Sequence, residues 1–309
     1  MASQSLSRCR RGLAVARNSS CPAHAWIDAV APLLLEPQMT FINAGANKGY
    51  QVAEFLQRFH SAAAASAGWR TNADWLAAIK AFRPHGVLTS CGVCMTCQSP
   101  APAVRLHAPS VRVHAFELTA CNHWLLKNLF ERLSVPGIAH HVAVTNRSGL
   151  VYGPSRCGGG DEGASALMRN APGRWNNPQP ATSVDDFCAK HGLDKVHWLA
   201  VDTEGFDALV LEGAQAMLAS RKIDVVEFEY HDRVGYWRPR FEEKRTLKRS
   251  LDALHAAGYE CFWQGNDGRL ASVTPAGSTS WCSPGGVGWS NLVCSSVPRI
   301  VAKLQSLAV

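Results

Sequence analysis

Two carboxylates close an apolar run, where Trp198-Leu199-Ala200-Val201 leads into Asp202-Thr203-Glu204-Gly205-Phe206. A strand ending in acids puts them where open α/β sheets meet their ligands, outside the carboxyl ends of the strands. There, Asp202 or Glu204 can take a proton from a hydroxyl as a general base, or the pair can hold a divalent cation that polarises it. Two close carboxylates also raise one of their pKa values, which suits a base working near neutral pH. The competing reading is architectural: Asp202 positions backbone amides, and Glu204 caps the next helix, whose start favours negative charge. Glu229 and His231 end the following apolar run and are second-choice site residues.

A second constellation lies far upstream. Phe41-Ile42-Asn43-Ala44 is an apolar strand running into Gly45-Ala46-Asn47-Lys48-Gly49, and a helical pattern begins at Val52, Phe55 and Leu56. Glycines here let the backbone approach a bound cofactor and turn sharply into the helix. The spacing is neither the G-x-G-x-x-G of dinucleotide binders nor a P-loop, and a strand-to-helix turn without a ligand is the plainer reading of the loop by itself. Support comes from Val111-Arg112-Val113-His114-Ala115-Phe116, a β-type run closed by Glu117. An acid ending the second strand can accept hydrogen bonds from both hydroxyls of a ribose.

Eleven cysteines form the third chemical signal, and their odd number rules out complete pairing within the chain. Cys91-x-x-Cys94-x-x-Cys97 spaces three thiolates so that they can surround one tetrahedral Zn²⁺, with His85, His107 or another cysteine as fourth ligand. Structural zinc is the expectation; free thiols or a disulfide are the competing readings. Cys282 and Cys294 flank a glycine-rich turn and suit a pair across a terminal hairpin.

These residues need a sheet to position them. The chain has 309 residues, of which 47% are hydrophobic, enough for one large domain or two small ones. From Gly49 to Glu117 the interval far exceeds the ~20 residues of a compact nucleotide-binding βαβ unit. An insertion after the first helix, about 61–109, accounts for the excess and includes a helix at Asn72 to Phe82 with Trp75, Leu76 and Ile79 on one face. Beyond Glu117 come a helix through Trp124, Leu125 and Leu129, a strand around Ala139 to Val144, and a long loop from Cys157 to Pro180 suited to a lid. Helix Val184 to His191, the Asp202 strand, helix Ala208 to Ala219 and strand Ile223 to Glu229 follow. Helix Phe241 to Ala257 then precedes a terminal antiparallel pair, Tyr259 to Trp263 with Leu292 to Ser295. This alternation predicts an α/β fold with a doubly wound sheet, occupying 37–309.

The N-terminal segment, 1–36, opens with Arg8, Arg10, Arg11 and Arg17, several serines and no acid before Asp28. That composition suits an organellar transit peptide or an unstructured start, and it lacks the apolar core of a secretory signal. No apolar stretch approaches the ~20 residues of a membrane span. A net charge of +7 is modest, and Arg245, Lys248 and Arg249 on one helical face read as a solvated surface, so no nucleic-acid partner is indicated.

Taken in order, the blocks resemble the FkbM-type S-adenosylmethionine-dependent methyltransferases over about residues 39–230. The resemblance includes F-I-N-A-G-A-N-K-G from Phe41, His114 to Glu117 with Asn128 beyond, Val142-Ala143-Val144 before Ser148-Gly149, and Thr182 to Phe187. It continues with Ala200 to Asp207 and Val210 to Ala214. It implies a Rossmann-like methyltransferase fold, S-adenosyl-L-methionine as methyl donor, and O-methylation of a hydroxyl on a sugar, lipid or natural product. A small-molecule or glycan acceptor is therefore the expected partner. Carried onto this chain, Gly45, Ala46, Asn47 and Gly49 would line the methionine end, Glu117 would hold the ribose, and Ala143 would lie near the adenine. Asn43 stands where the family often has Asp and keeps an acceptor oxygen; Ala200 stands where it often has Lys. A nicotinamide-dependent oxidoreductase would share the strand, loop and ribose acid but show tighter glycine spacing. A non-catalytic interaction protein with a vestigial site would fit the Asn43 and Ala200 departures.

Overall fold

The computed structural model describes residues 12–82, 91, 94, 97, 101–154, 175–232, 234–237, 245–273 and 288–309. After a short helix over 12–17 (α1), the chain runs through α2 (Ala25–Leu34), β1 (Gln38–Ala44), α3 (Tyr50–Phe59), α4 (Ser61–Ser66) and α5 (Asn72–Ala81). Next come β2 (Ser110–Phe116), α6 (Ala120–Arg132), β3 (Gly137–His140), β4 (Ala143–Val144), β5 (Gly149–Pro154) and β6 (Trp175–Thr182). Then follow α7 (Val184–His191), β7 (Val196–Val201), α8 (Asp207–Glu212), α9 (Gln215–Ala219), β8 (Ile223–His231) and a 3₁₀ turn at Gly235–Trp237. The chain closes with α10 (Leu247–Ala256), β9 (Glu260–Gln264), β10 (Leu270–Ser272), β11 (Trp289–Ser295) and α11 (Pro298–Leu307).

The main sheet has the order β10-β9-β11-β8-β7-β1-β2-β3. Strands β3, β2, β1, β7 and β8 are parallel; β11 lies antiparallel between β8 and β9, and β10 completes that edge. Strand β1 pairs with both β2 and β7, so the chain reverses its direction of winding there. Such a switch point opens a crevice at the strands' carboxyl ends. The expected doubly wound α/β sheet and its terminal antiparallel pair are both present.

Central strands are buried on both faces and are accordingly rich in apolar residues, as in β7, where every residue of Val-His-Trp-Leu-Ala-Val is buried and only His197 is polar. Phe41, Trp198, Val225 and Val293 face one core, closed by α2, α3, α5, α6 and α11. Ile42, Leu199, Val226 and Cys294 face the other, closed by α7 to α10. Helix α3 shows why its pattern was readable: Val52, Phe55, Leu56 and Phe59 recur at helical spacing and are all buried.

Several expectations change. Residues 12–36 are part of the packing and not a separate segment: Trp26, Ile27, Val30, Ala31 and Leu34 of α2 are buried in the first core. The strand expected over Ala139 to Val144 divides, because β3 stays in the main sheet while β4 joins a three-stranded sheet ordered β4-β6-β5. The end of the expected lid, from Trp175, is strand β6 paired with β5; 155–174 lie outside the described residues. The helix expected over Ala208 to Ala219 breaks at Gly213 into α8 and α9. The helix expected from Phe241 is described only from Leu247, since 241–244 lie outside the described residues. Trp124 stands on the solvent side of α6, 48% exposed, and the apolar face is Leu125, Leu126 and Leu129. No described helix is long and apolar enough to cross a membrane.

Candidate active site

Strand β1 ends against β7. Gly45 has φ 83, and a Cβ there would stand 1.7 Å from the Asp202 carbonyl oxygen, so only glycine fits. The Asp202 amide donates to the Ala44 carbonyl at 2.9 Å, and the Gly45 and Ala46 amides donate to the Phe116 carbonyl at 3.0 and 2.8 Å. One residue on, Asn47 takes a left-handed φ of 47, and its amide donates to Glu117 Oε2 at 2.8 Å. The other Glu117 oxygen accepts from the Thr119 amide at 2.7 Å and its hydroxyl at 2.8 Å. The glycine loop and the acid of β2 are thus one hydrogen-bonded unit. Burial pushes the Glu117 carboxyl above its usual range, against the hydrogen bonds from Thr119 and Asn47 that pull it down.

Two clefts meet at this junction. The smaller is lined by Gly45, Asn47, Glu117, Asn122, Asp202 and Glu204, with an apolar wall of Phe116, Leu118, Val142, Ala143, Val144 and Phe206. The larger shares Gly45, Asn47, Asp202 and Glu204 with it. Its own walls include Ala46, Lys48, Tyr50, His24, Glu227, Glu229, His231 and Trp289. Most of the residues expected to act together therefore surround one crevice. Asn43 and Gly49 do not line either cleft. Asn43 is fully buried behind the loop, donating to Gln51 Oε1 at 2.7 Å, and Gly49 (φ 81) is hemmed in by Trp75 and Leu126.

The carboxylate that partners Asp202 is not Glu204. Asp202 hydrogen-bonds to Glu229, which follows from register: Val201 pairs with Phe228, so the next positions of β7 and β8 face each other. Burial and the neighbouring Asp202, Asp207 and Glu204 charges push Glu229 well up, so Glu229 holds the proton and donates it to Asp202. Enclosure and then the Asp207 charge also raise Asp202, while that hydrogen bond pulls it down. The Asp202 side chain opens to the cleft, so solvent screens part of this rise. Capping falls to Asp207, whose oxygens accept from the Thr203 and Gly205 amides at 3.1 and 3.0 Å. Wrapping the loop around Asp207 leaves Glu204 at a left-handed φ of 53 and turns it to the cleft.

Sequence reasoning missed Asn122, Glu227, His24 and Trp289. Asn122 lies on the helix after Glu117, and its position toward the cleft was readable only from α6 periodicity. Glu227 was readable, since it shares a strand face with Glu229. His24 and Trp289 had no signal, because both arrive from the ends of the chain.

The three-thiolate zinc site is not formed. Cys91 is bonded to Cys97, and Cys94 to Cys21, so none of the three is a thiolate available to a metal. The spacing was read without Cys21, which lies in the segment just before α2. Cys294 pairs with Cys261 across β11 and β9, where the two are directly opposite, and not with Cys282. Among the described residues, only Cys188 is a free thiol.

Residues 98–261, just over half of the chain, match the profile of the methyltransferase FkbM domain. The chain belongs to the FkbM methyltransferase family. The match takes in Glu117, Ala143, Asp202, Glu204 and Glu229 of this methyltransferase; the glycine loop lies outside it and is tied to it by the contacts above. No curated protein matches the chain. Solved structures include a protein described as an O-methyltransferase from Klebsiella pneumoniae, with 9% identity, TM-score 0.37, and coverage of 93% of this chain and 88% of that one. Another is a geranyl diphosphate methyltransferase in complex with SAM, with 10% identity, TM-score 0.32, and coverage of 87% and 85%. Neither overlap decides anything about this methyltransferase.

Proposed function

We propose that this methyltransferase moves the methyl group of S-adenosylmethionine to a hydroxyl oxygen of a small-molecule or glycan acceptor, with Asp202 as the general base. The observation that carries the reading is the meeting of two clefts at Gly45, Asn47, Asp202 and Glu204, on the switch point of the sheet. The smaller cleft fits an adenosyl group chemically. Asn122 Oδ1 and Thr203 Oγ1 line it as buried oxygens with no hydrogen-bond partner among the described residues. Glu117 Oε1 is filled by the two Thr119 bonds, and Oε2, which accepts only from the Asn47 amide, keeps a second lone pair for a ribose hydroxyl. Phe116, Leu118, Val142 to Val144 and Phe206 offer apolar surface to a base.

When bound, the sulfonium supplies an electrophilic methyl group and departs as a thioether. The chain's part is alignment and proton transfer. Gly45 and Asn47 hold the donor side against the end of β7, Asp202 takes the hydroxyl proton, and Glu229 keeps Asp202 oriented and ionised by donating to it. Cys91, Cys94 and Cys97 have no metal role in this scheme.

Calorimetric titration with S-adenosylmethionine tests the donor assignment. Glu117→Ala removes the ribose acceptor and is expected to weaken binding by tenfold or more, from about 1.5 to 3 kcal/mol for a hydrogen bond to a charged group. Equal affinity of parent, Glu117→Ala and Gly45→Val would sink the assignment.

A further inference from the structure

The larger cleft is more acidic than deprotonating a hydroxyl requires. Glu227 and Glu229 alternate along one face of β8 and are both buried, and with Asp202 and Glu204 they make a wall of carboxylates. The cations lining the same cleft are His24 and Lys48. His24 is divided, with Nδ1 2.8 Å from Glu54 Oε2 and Nε2 3.7 Å from Glu227 Oε1. Glu227 Oε1 also accepts from Gln264 Nε2 at 3.0 Å. The Trp198 indole N–H lies close enough to lower the Glu227 carboxyl, but no described residue makes a well-formed hydrogen bond to Glu227 Oε2, although Glu227 is only 4% exposed. A buried, half-satisfied carboxylate is costly unless something pairs with it.

Aromatic surface completes the same wall. Strand β11 sets Trp289 opposite His231, and their rings stack at 6.3 Å between centroids. Trp289 lines the cleft, and its Nε1 is buried without a partner among the described residues. Buried carboxylate together with an indole face is the surface that recognises organic ammonium groups, through ion pairing and the ring quadrupole.

Resting on the reading of this cleft as the acceptor side, we propose that the acceptor carries a protonated amine beside the hydroxyl that is methylated, with Glu227 and Glu229 holding the ammonium and Trp289 covering it. Burial holds both glutamates above their ordinary values, with the Asp202, Asp207 and Glu204 charges lifting Glu229 further, so an ammonium in the cleft favours their ionised forms, and its charge then replaces the Glu229 proton in keeping Asp202 ionised. Binding and proton release are coupled.

The test uses the full chain saturated with S-adenosylhomocysteine and calorimetry in two buffers of different ionisation enthalpy. Glucosamine is compared with glucose, and 2-aminoethanol with ethylene glycol; the two pairs separate an amino sugar from a simple amino alcohol. In at least one pair the amine is expected to bind about tenfold more tightly than its neutral counterpart and to release protons. Glu227→Gln, and separately Glu229→Gln, should abolish that preference, while Glu227→Gln leaves S-adenosylhomocysteine binding unchanged. Equal binding within both pairs, no binding of either amine, or a preference surviving both variants overturns the proposal. Failure of S-adenosylhomocysteine to bind the parent chain would instead strike the donor assignment, and the amine pairs are then compared without it.

Discussion

Replacing Gly45 with alanine probes the contact on which both clefts depend. The added Cβ would lie 1.7 Å from the Asp202 carbonyl oxygen and 2.6 Å from its carbon. Both are backbone atoms, so no side-chain rotation relieves the overlap. The end of β7 has to retreat by more than about 1 Å to regain van der Waals separation. Overfilling a packed site costs about 1 to 3 kcal/mol. The left-handed φ of 83 adds about 1 to 2 kcal/mol for any residue with a Cβ. Displacing the loop also endangers the two amide bonds to Phe116, worth about 1 kcal/mol each. The expected loss is therefore about 2 to 5 kcal/mol, rising to about 7 if both amide bonds are lost. Gly192 is the control, because it has φ 60 and a Cβ added there would meet nothing within 4 Å, so its alanine variant bears the conformational part alone, about 1 kcal/mol. Urea denaturation measures both variants against the parent, and titration with S-adenosylhomocysteine reports the cleft. A Gly45→Ala protein no less stable than Gly192→Ala, binding the ligand as the parent does, would refute the reasoning.

Asp202→Asn is expected to lower kcat about 10²- to 10⁴-fold by removing the base, and it should also stabilise the fold above neutral pH. The sign follows from its raised folded-state pKa: a carboxyl that binds its proton more tightly when folded costs stability as pH rises from the ordinary carboxylate range through the raised value. Denaturation at pH 5 and pH 8 checks this, and a variant that does not gain relative stability at the higher pH contradicts it. His24 behaves in the opposite sense. Burial alone would lower it, but the Glu54 carboxylate overrides burial and lifts it from 6.5 to about 9. Its contribution is complete below pH 6.5 and is lost as pH rises through about 9, an effect of at most about 3 kcal/mol. A His24→Gln stability profile as steep as the parent's over that window would count against the ion pair. Replacing both Cys21 and Cys94 with alanine opens a cross-link spanning 73 residues and should cost about 2 to 4 kcal/mol in urea denaturation. A loss below about 0.5 kcal/mol would mean that the hydrogen bonds of Ser19 to Asn291 hold that segment by themselves.

Much of the donor side was legible in the residues. Phe41 to Gly49 announces an apolar strand, a glycine turn and a helix, and each signal is local, so the chain need not be folded for it to be read. The same holds for Glu117 at the end of β2 and Asp202 at the end of β7, because a strand's end fixes which end of the sheet its last residue occupies. Where local signals were ambiguous, the reading failed. Cys91, Cys94 and Cys97 have zinc-like spacing, yet Cys94 is taken by Cys21, from the segment before α2, and Cys91 and Cys97 are left to bond each other. The Ala139 to Val144 run reads as one strand, because nothing in its apolar pattern marks the point where the chain leaves one sheet for another.

The sequence by itself determined the order of strands and helices, the acids that end β2 and β7, and the family, since periodicity and motif spacing are written within short windows. The tertiary structure alone decided that Asp202 answers to Glu229 rather than Glu204, and that His24 and Trp289 wall the second cleft. It likewise decided that the thiols bond to each other. All of these depend on strand register and on which distant segments pack together, and both are set by burial across the whole sheet.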